Sequence, residues 1–286
     1  MNKKALGLVI MLLATLACGT LTPAPPAQPG VETIVAATFQ ALTAAAPPTQ
    51  TPISGTLVAI NNVSFIVPTS VGSGAQVETI EAVPPSEDMP WWEIAPTYNK
   101  YTIQGYPLSK TFHMQTIYVY PVNEYIQVNQ DMAELFDSLK SILNQPDQPL
   151  PENLPFLPAF NAAQMFHSNE QILTFQNGKG IRFLTQYGQA PYPVNNNSMF
   201  YTFQGMTDDG AYYVAAVLPT SAAFLPADGN PDTSLPADGV PFDWENFENI
   251  NQHFELVKQK LNATAPNAFN PALTNLDTLI QSIQIR

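Results

Sequence analysis

A single cysteine, Cys18, occurs in 286 residues, and one thiol cannot build a disulfide framework. Basic side chains are nearly as scarce: ten Lys and Arg stand against 23 Asp and Glu, for a formal net charge of −13. Phosphate backbones and anionic lipid surfaces attract the opposite sign, so nucleic acid and electrostatic adhesion to membranes are excluded as partners. Only 12% of residues are charged at all, so the surface is built largely from amides, hydroxyls and tyrosines. Catalytic signatures are also missing. There is no Gly-x-Ser-x-Gly elbow, no His-Glu-x-x-His pair and no Walker loop, and the stretch from Gly178 to Phe183 lacks the third glycine of a dinucleotide fingerprint. His113, His167 and His253 are far apart in the chain and give no metal spacing. No cofactor is expected, and the reading leans away from an enzyme.

What is present begins with an export pattern. Lys3 and Lys4 precede an apolar run over residues 5–17, and small residues follow it. Those 13 residues fall short of the ~20 that a spanning helix needs and match the middle part of a secretory signal. Thr15-Leu16-Ala17-Cys18 resembles the lipobox of bacterial lipoproteins, although Thr15 occupies the place where leucine is usual. The resemblance covers about the first 20 residues and implies that Cys18 carries a diacylglycerol and heads the mature chain. It also implies a partner, the membrane reached through the lipid, and an extracytoplasmic address at the cell membrane or outer surface. Two acyl chains give stable anchoring at about 0.8 kcal/mol per buried methylene.

Residues 18–52 then read as a linker. Seven prolines (Pro23, Pro25, Pro26, Pro29, Pro47, Pro48, Pro52) are interleaved with alanine, threonine and glutamine. Such a composition buries too little apolar surface to offset chain entropy. Within it Val31, Ile34, Val35, Phe39 and Leu42 recur at helical spacing, a short amphipathic island.

Residues 53–286 are long enough for one domain with a sizeable core. Residues 56–60 and 63–67 flank Asn61-Asn62, residues that tolerate the positive φ of a tight hairpin. Residues 112–120 alternate as a strand, residues 171–176 and 181–187 flank the turn Asn177-Gly178-Lys179-Gly180, and residues 199–204 and 212–218 flank Asp209-Gly210. Consecutive hairpins predict an antiparallel sheet. Helical stripes fall elsewhere. Met132, Leu135, Phe136, Leu139, Ile142 and Leu143 form one, with Asp131 and Glu134 spaced as a capping box. Phe247, Ile250, Phe254, Val257 and Leu261 form a second behind Asp243, and Leu273, Leu276, Leu279, Ile280 and Ile283 a third, with Asn270 as cap and Pro271 at the first helical position. The class is α+β, an antiparallel β-sheet built from hairpins with flanking helices, two of them C-terminal. The order of elements, and the closing Leu276-Asp277-Thr278-Leu279-Ile280-Gln281-Ser282, resemble the Mog1/PsbP-type sandwich, a likeness of architecture that brings no site residue with it.

Three constellations could carry a ligand. Trp91 and Trp92 sit among Pro84, Pro85, Pro90 and Pro96, with Tyr98, Tyr101 and Tyr106 close behind. Indole faces in such a loop can stack on sugar rings or prolines, and equally can close over a core. Neighbours in extended chain point to opposite sides, so both indoles serve one platform only where the backbone kinks. Arg182 precedes only the terminal Arg286 among the arginines; on a strand it reads either as an anion-reading side chain or as one half of a structural ion pair with Asp208 or Asp209. Asp228, Asn230 and Asp232 match the first three oxygens of a calcium loop, but Thr233 replaces the turn glycine and no glutamate closes it. The readings there are a weak calcium site and a solvated acidic loop.

The function classes that remain are a membrane-anchored binding or envelope-structural protein that meets an envelope protein or a glycan, a lipoprotein that binds glycans or small solutes in an aromatic pocket near Trp91 or Arg182, and a hydrolase of wall polymers with two close carboxylates in a cleft.

Overall fold

The computed structural model describes residues 53–286, and the signal segment, Cys18 and the proline-rich stretch lie outside the described residues. The chain begins with a hairpin, β1 (Gly55–Ile60) and β2 (Val63–Pro68). Asn61 turns it with φ 58, the left-handed conformation anticipated for the Asn-Asn pair. β3 (Gly74–Ile80), β4 (Tyr98–Gln104) and β5 (Thr116–Pro121) follow. Two helices come next, α1 (Val122–Val128) and α2 (Met132–Asn144). Four long strands complete the sheet: β6 (Ala163–Phe175), β7 (Gly178–Gly188), β8 (Phe200–Thr207) and β9 (Tyr212–Pro219). The end of the chain adds α3 (Ile250–Ala263), α4 (Leu273–Gln281) and a short β10 (Gln284–Ile285).

All strand pairs are antiparallel. They make a seven-stranded sheet in the order β3-β4-β5-β9-β8-β7-β6 and a three-stranded one in the order β1-β2-β10. The α+β class is therefore as the hairpin pattern predicted. The central strands explain why their sequence hardly alternates in polarity: every residue of β8 is buried, because both faces of the large sheet are covered. On one face, Val214, Ala216 and Leu218 of β9 share a core with Phe65 and Val67 of the small sheet and with Leu261, Leu276 and Ile280 of α3 and α4. On the other, Tyr213, Ala215 and Val217 pack with Phe136 and Leu139 of α2 and with Leu154, Phe156 and Leu157 of the segment before β6. Each fully buried side chain of this kind contributes about 1.5–3 kcal/mol.

Several local expectations change. Asp131 precedes α2 but makes no side-chain cap hydrogen bond, and its αR backbone already continues the helix, so the capping box does not form. α4 starts at Leu273, behind Ala272. Asn270 instead pairs its backbone with Ser221 in an isolated bridge, and that non-helical pairing keeps Pro271 out of the first turn. Asp243 does accept from the backbone of Glu245 and Asn246, each at 3.0 Å. The turn it closes leads into a 3-10 segment with Phe247 exposed, and α3 buries His253, Val257 and Leu261. β5 begins at Thr116, four residues later than the alternation implies. Phe112 is pulled off the sheet by its backbone N–H, which donates to the Asn197 carbonyl at 2.8 Å.

Candidate functional site

The segment that β5 releases and the segment that leads into β6 face each other across the end of β7. His113 stacks on Phe160 with ring centroids 5.0 Å apart and planes 17° from parallel, and meets the edge of Phe200 at 4.6 Å. Tyr187, near the end of β7, packs on Phe156 at 4.6 Å and on Phe160 at 5.3 Å. Its hydroxyl accepts from the Gln164 amide at 3.0 Å, and its carbonyl accepts from the Tyr192 hydroxyl at 2.8 Å. Interlocked rings of this kind cannot turn independently, so the floor they form is preorganised. Above it opens a cavity of about 540 Å3 between Phe112, His113, Phe160 and Tyr192.

The same floor continues towards the tryptophans. Phe160, Asn161, Ala162, Gly188 and Gln189 also line a shallower cavity of about 600 Å3 closed by Trp91 and Trp92. A third, of about 310 Å3, runs between Trp91, Leu135, Phe156 and Phe160. The three cavities are neighbours around Phe160 and Ala162, which line all of them, and are treated together as one groove. Trp91 and Trp92 both reach it because the chain turns there: the backbone N–H of Glu93 donates to the Pro90 carbonyl at 3.0 Å. The indoles meet edge to face, with centroids 5.9 Å apart at 83°. The Asn129 amide holds the Trp91 carbonyl at 3.0 Å. Trp91 is 48% exposed and Phe112 is 75% exposed, so these rings stand on the surface instead of closing over a core.

None of the residues lining the three cavities is Asp, Glu, Lys or Arg. The one titratable imidazole, His113, is pushed down to about 4 by burial, so it is uncharged at neutral pH. Burial also pushes the Tyr187 phenol up, with the Gln164 hydrogen bond opposing. Uncharged polar groups are nonetheless present and unspent. Among the described residues, the Asn161 side chain and the Gln189 Oε1 have no hydrogen-bond partner, while Gln189 Nε2 donates to the Asn161 carbonyl at 2.8 Å and fixes the pair side by side. Gly188 lies beneath them with no room for a side chain, since a Cβ there would come within 2.6 Å of the Tyr192 ring.

The other predicted site residues lie outside this groove. Arg182 is 4% exposed and its partner is neither Asp208 nor Asp209. Its Nε and Nη2 donate to the two carboxylate oxygens of Asp277 on α4 at 3.2 and 3.1 Å, and Nη2 also reaches Gln171 Oε1 at 2.6 Å. Its Nη1 donates to the Asn169 carbonyl, in the stretch where the β6–β7 register shifts. The Tyr201 hydroxyl completes the cluster, donating to Asp277 at 3.0 Å. Every guanidinium nitrogen is thus used internally, and the anion-reading role gives way to a clamp between the sheet and α4. Burial pushes the Asp277 carboxyl up while Arg182 pulls it down.

Asp228 likewise spends its carboxylate on its own loop, where Oδ1 accepts from the Asn230 backbone at 3.0 Å, from the Asn230 amide at 2.8 Å and from the Thr233 hydroxyl. Those contacts describe an Asx turn, and no group of three or more His, Asp or Glu among the described residues could hold a metal ion. Tyr98, Tyr101 and Tyr106 belong to the packed interior or its margin. Cys18 lies outside the described residues.

Phe160, Tyr187, Asn161 and Gln189 carry no motif in the sequence, and His113 stands out there only as a histidine without metal spacing. The available signal was the one that pointed to Trp91: an aromatic inside a proline-rich segment, here Phe156 and Phe160 among Pro151, Pro155 and Pro158. Scans of the chain against protein-family models, curated proteins and solved structures return no match.

Proposed function

We propose that this chain is a lipid-anchored extracytoplasmic protein that binds an uncharged ligand, without chemical turnover, in the groove between Trp91, Phe160 and His113. The observation that carries the binding reading is a set of three adjacent, ring-lined cavities with no charged wall, in a protein of net charge −13. Its cavities lie in the size range of small-ligand sites, ~300–1,000 Å3. A filled sandwich with a featureless surface would have favoured a purely envelope-structural role. The hydrolase reading needs two carboxylates facing a cleft; no carboxylate lines this groove, and Glu152 and Glu255 line a separate cavity of about 500 Å3 with His167 and Lys258.

The anchoring half rests on Thr15-Leu16-Ala17-Cys18 after a basic and apolar leader, and no helix among the described residues is long and apolar enough to cross a membrane. Mass spectrometry of the native protein tests it: a diacylated Cys18 at the N-terminus is expected, and an unmodified thiol in a cytosolic fraction would remove the proposal. The binding half is tested by tryptophan emission. Trp244 packs on Phe242 and lines none of the three cavities, so a Trp244→Phe chain carries only the two groove indoles. Its emission is expected to shift with an uncharged oligosaccharide mixture, a proline-rich decapeptide or an apolar solute. No response to any of the three would contradict a ligand groove.

A further inference from the structure

The groove's chemistry narrows the ligand further, on the reading that the groove is a binding site. An apolar solute would use the rings and leave the polar groups of the rim desolvated, which costs roughly 1–3 kcal/mol per unpaired group. A proline-rich peptide stacks on rings and offers carbonyls to hydroxyl and indole donors. Of the two tyrosine hydroxyls at the site, Tyr192 already donates to the Tyr187 carbonyl, while Tyr187 accepts from Gln164 and keeps its own proton. The amides beside them are of another kind. The Asn161 side chain offers a donor and an acceptor together, and beside it the Gln189 Oε1 is an acceptor held in place by its own Nε2 bond. Adjacent donor and acceptor groups next to an aromatic face match a pyranose ring, whose hydroxyls both donate and accept around its edge and whose C–H face is apolar.

Charge points the same way. The chain carries 23 acidic residues, yet none lines the groove. No lysine or arginine lines it to neutralise an anionic sugar either, so a uronic or sulfated chain would be desolvated against a net-negative protein without a counter-charge. The site also offers more than one ring. Phe160 is common to all three cavities, Phe112 and Tyr192 line the first, and Trp91 and Trp92 line another.

We infer that the groove takes an uncharged, linear glycan, with Phe160 and Trp91 stacking on different sugar residues and Asn161 and Gln189 reading hydroxyls between them. Calorimetric titration of the full chain, held in a detergent without a sugar headgroup, would use uncharged β-1,4-linked hexasaccharides of glucose, mannose and xylose, with a hexagalacturonate as the acidic comparison. At least one neutral member is expected to bind, and hexagalacturonate at least about ten-fold more weakly than that member. Trp91→Ala and Phe160→Ala should each lower the affinity about ten-fold, the worth of one stacking contact, and Phe160→Trp should keep it. Circular dichroism identifies a variant that has failed to fold, and Asn161→Ala, on an exposed rim position, then supplies an independent loss of several-fold. Silence of all neutral hexasaccharides, or glycan binding indifferent to Trp91, Phe160 and Asn161, overturns the inference. If the decapeptide or the apolar solute shifts the groove tryptophans while the sugars stay silent, the ligand class is wrong and the groove stands; if nothing shifts them, both fall.

Discussion

Two clusters in this molecule drew attention for their side chains, and they are built on opposite principles. Around Arg182, every guanidinium nitrogen and both Asp277 oxygens are matched from the same chain, by one another and by Gln171, Asn169 and Tyr201, while the neighbouring buried Ser168 Oγ and Asn169 Oδ1 have no partner among the described residues. Around Phe160, rings pack on rings, while the Asn161 side chain and the Gln189 Oε1 have no partner within the described residues. A lone buried charge is costly enough to require complete internal pairing. An aromatic face tolerates water, so it can be left open for a ligand. The conspicuous charge is therefore structural, and the less conspicuous rings are the ones proposed to bind.

The sharpest way to break that contrast is to remove one half of the clamp. Asp277→Ala strands the Arg182 guanidinium inside the core and should cost about 3–5 kcal/mol in urea unfolding. The double change Arg182→Met with Asp277→Leu should recover most of that loss and bind the groove ligand like the parent chain. A double variant that is stable but no longer binds would return Arg182 to the site.

Next in size is the response to acid. The unfolded chain protonates His113 near 6.5 and the folded chain only near 4, so the unfolded state takes the proton first. Stability is then complete above pH 6.5 and falls as the pH drops towards 4, by at most about 3 kcal/mol from this residue. His253, also pushed down by burial, contributes in the same direction. Asp277, pushed up, contributes in the opposite one. The readout is accordingly the difference between the parent and His113→Phe: the variant's unfolding midpoint should decline less between pH 6.5 and 4, and identical declines would mean that His113 is not buried as described.

A smaller effect separates support from contact. Gly188→Ala places a methyl against the Tyr192 ring and should cost about 1–3 kcal/mol, weakening ligand binding several-fold through the displaced ring. Smallest of all, Lys260→Ala removes an exposed pair with Asp238 at 3.2 Å and should change stability by less than about 1 kcal/mol. A larger loss would point to its contact with the Phe224 ring, 4.6 Å from the ammonium.

The sequence made one side of this contrast easier to read than the other. Hairpin turns were legible because Asn61 and the Asp209-Gly210 pair meet a local backbone requirement that few residues satisfy. The stripes of α2 and α4 were legible because each helix buries one face. Long-range pairing was not. Nothing near Arg182 in the chain announces Asp277, 95 positions on, and α1 starts directly at the end of β5 with no side-chain cap to mark it. β3 and β4 escaped notice because their polarity is mixed, with Glu78 and Lys100 facing each other across the pair at 3.5 Å. At the groove, Trp91 and Trp92 stood out by type, and their joint use depended on a turn that only the backbone reveals. Phe112 and His113 were absorbed into a strand pattern that tertiary contacts cut short.

The most direct test of the account follows side-chain N–H signals by NMR during titration of the full chain with the best uncharged hexasaccharide. The indole resonances of Trp91 and Trp92 should move together and saturate, while the Arg182 Nε–H and the Trp244 indole stay in place. Movement at Arg182 with the two groove indoles unchanged would contradict it.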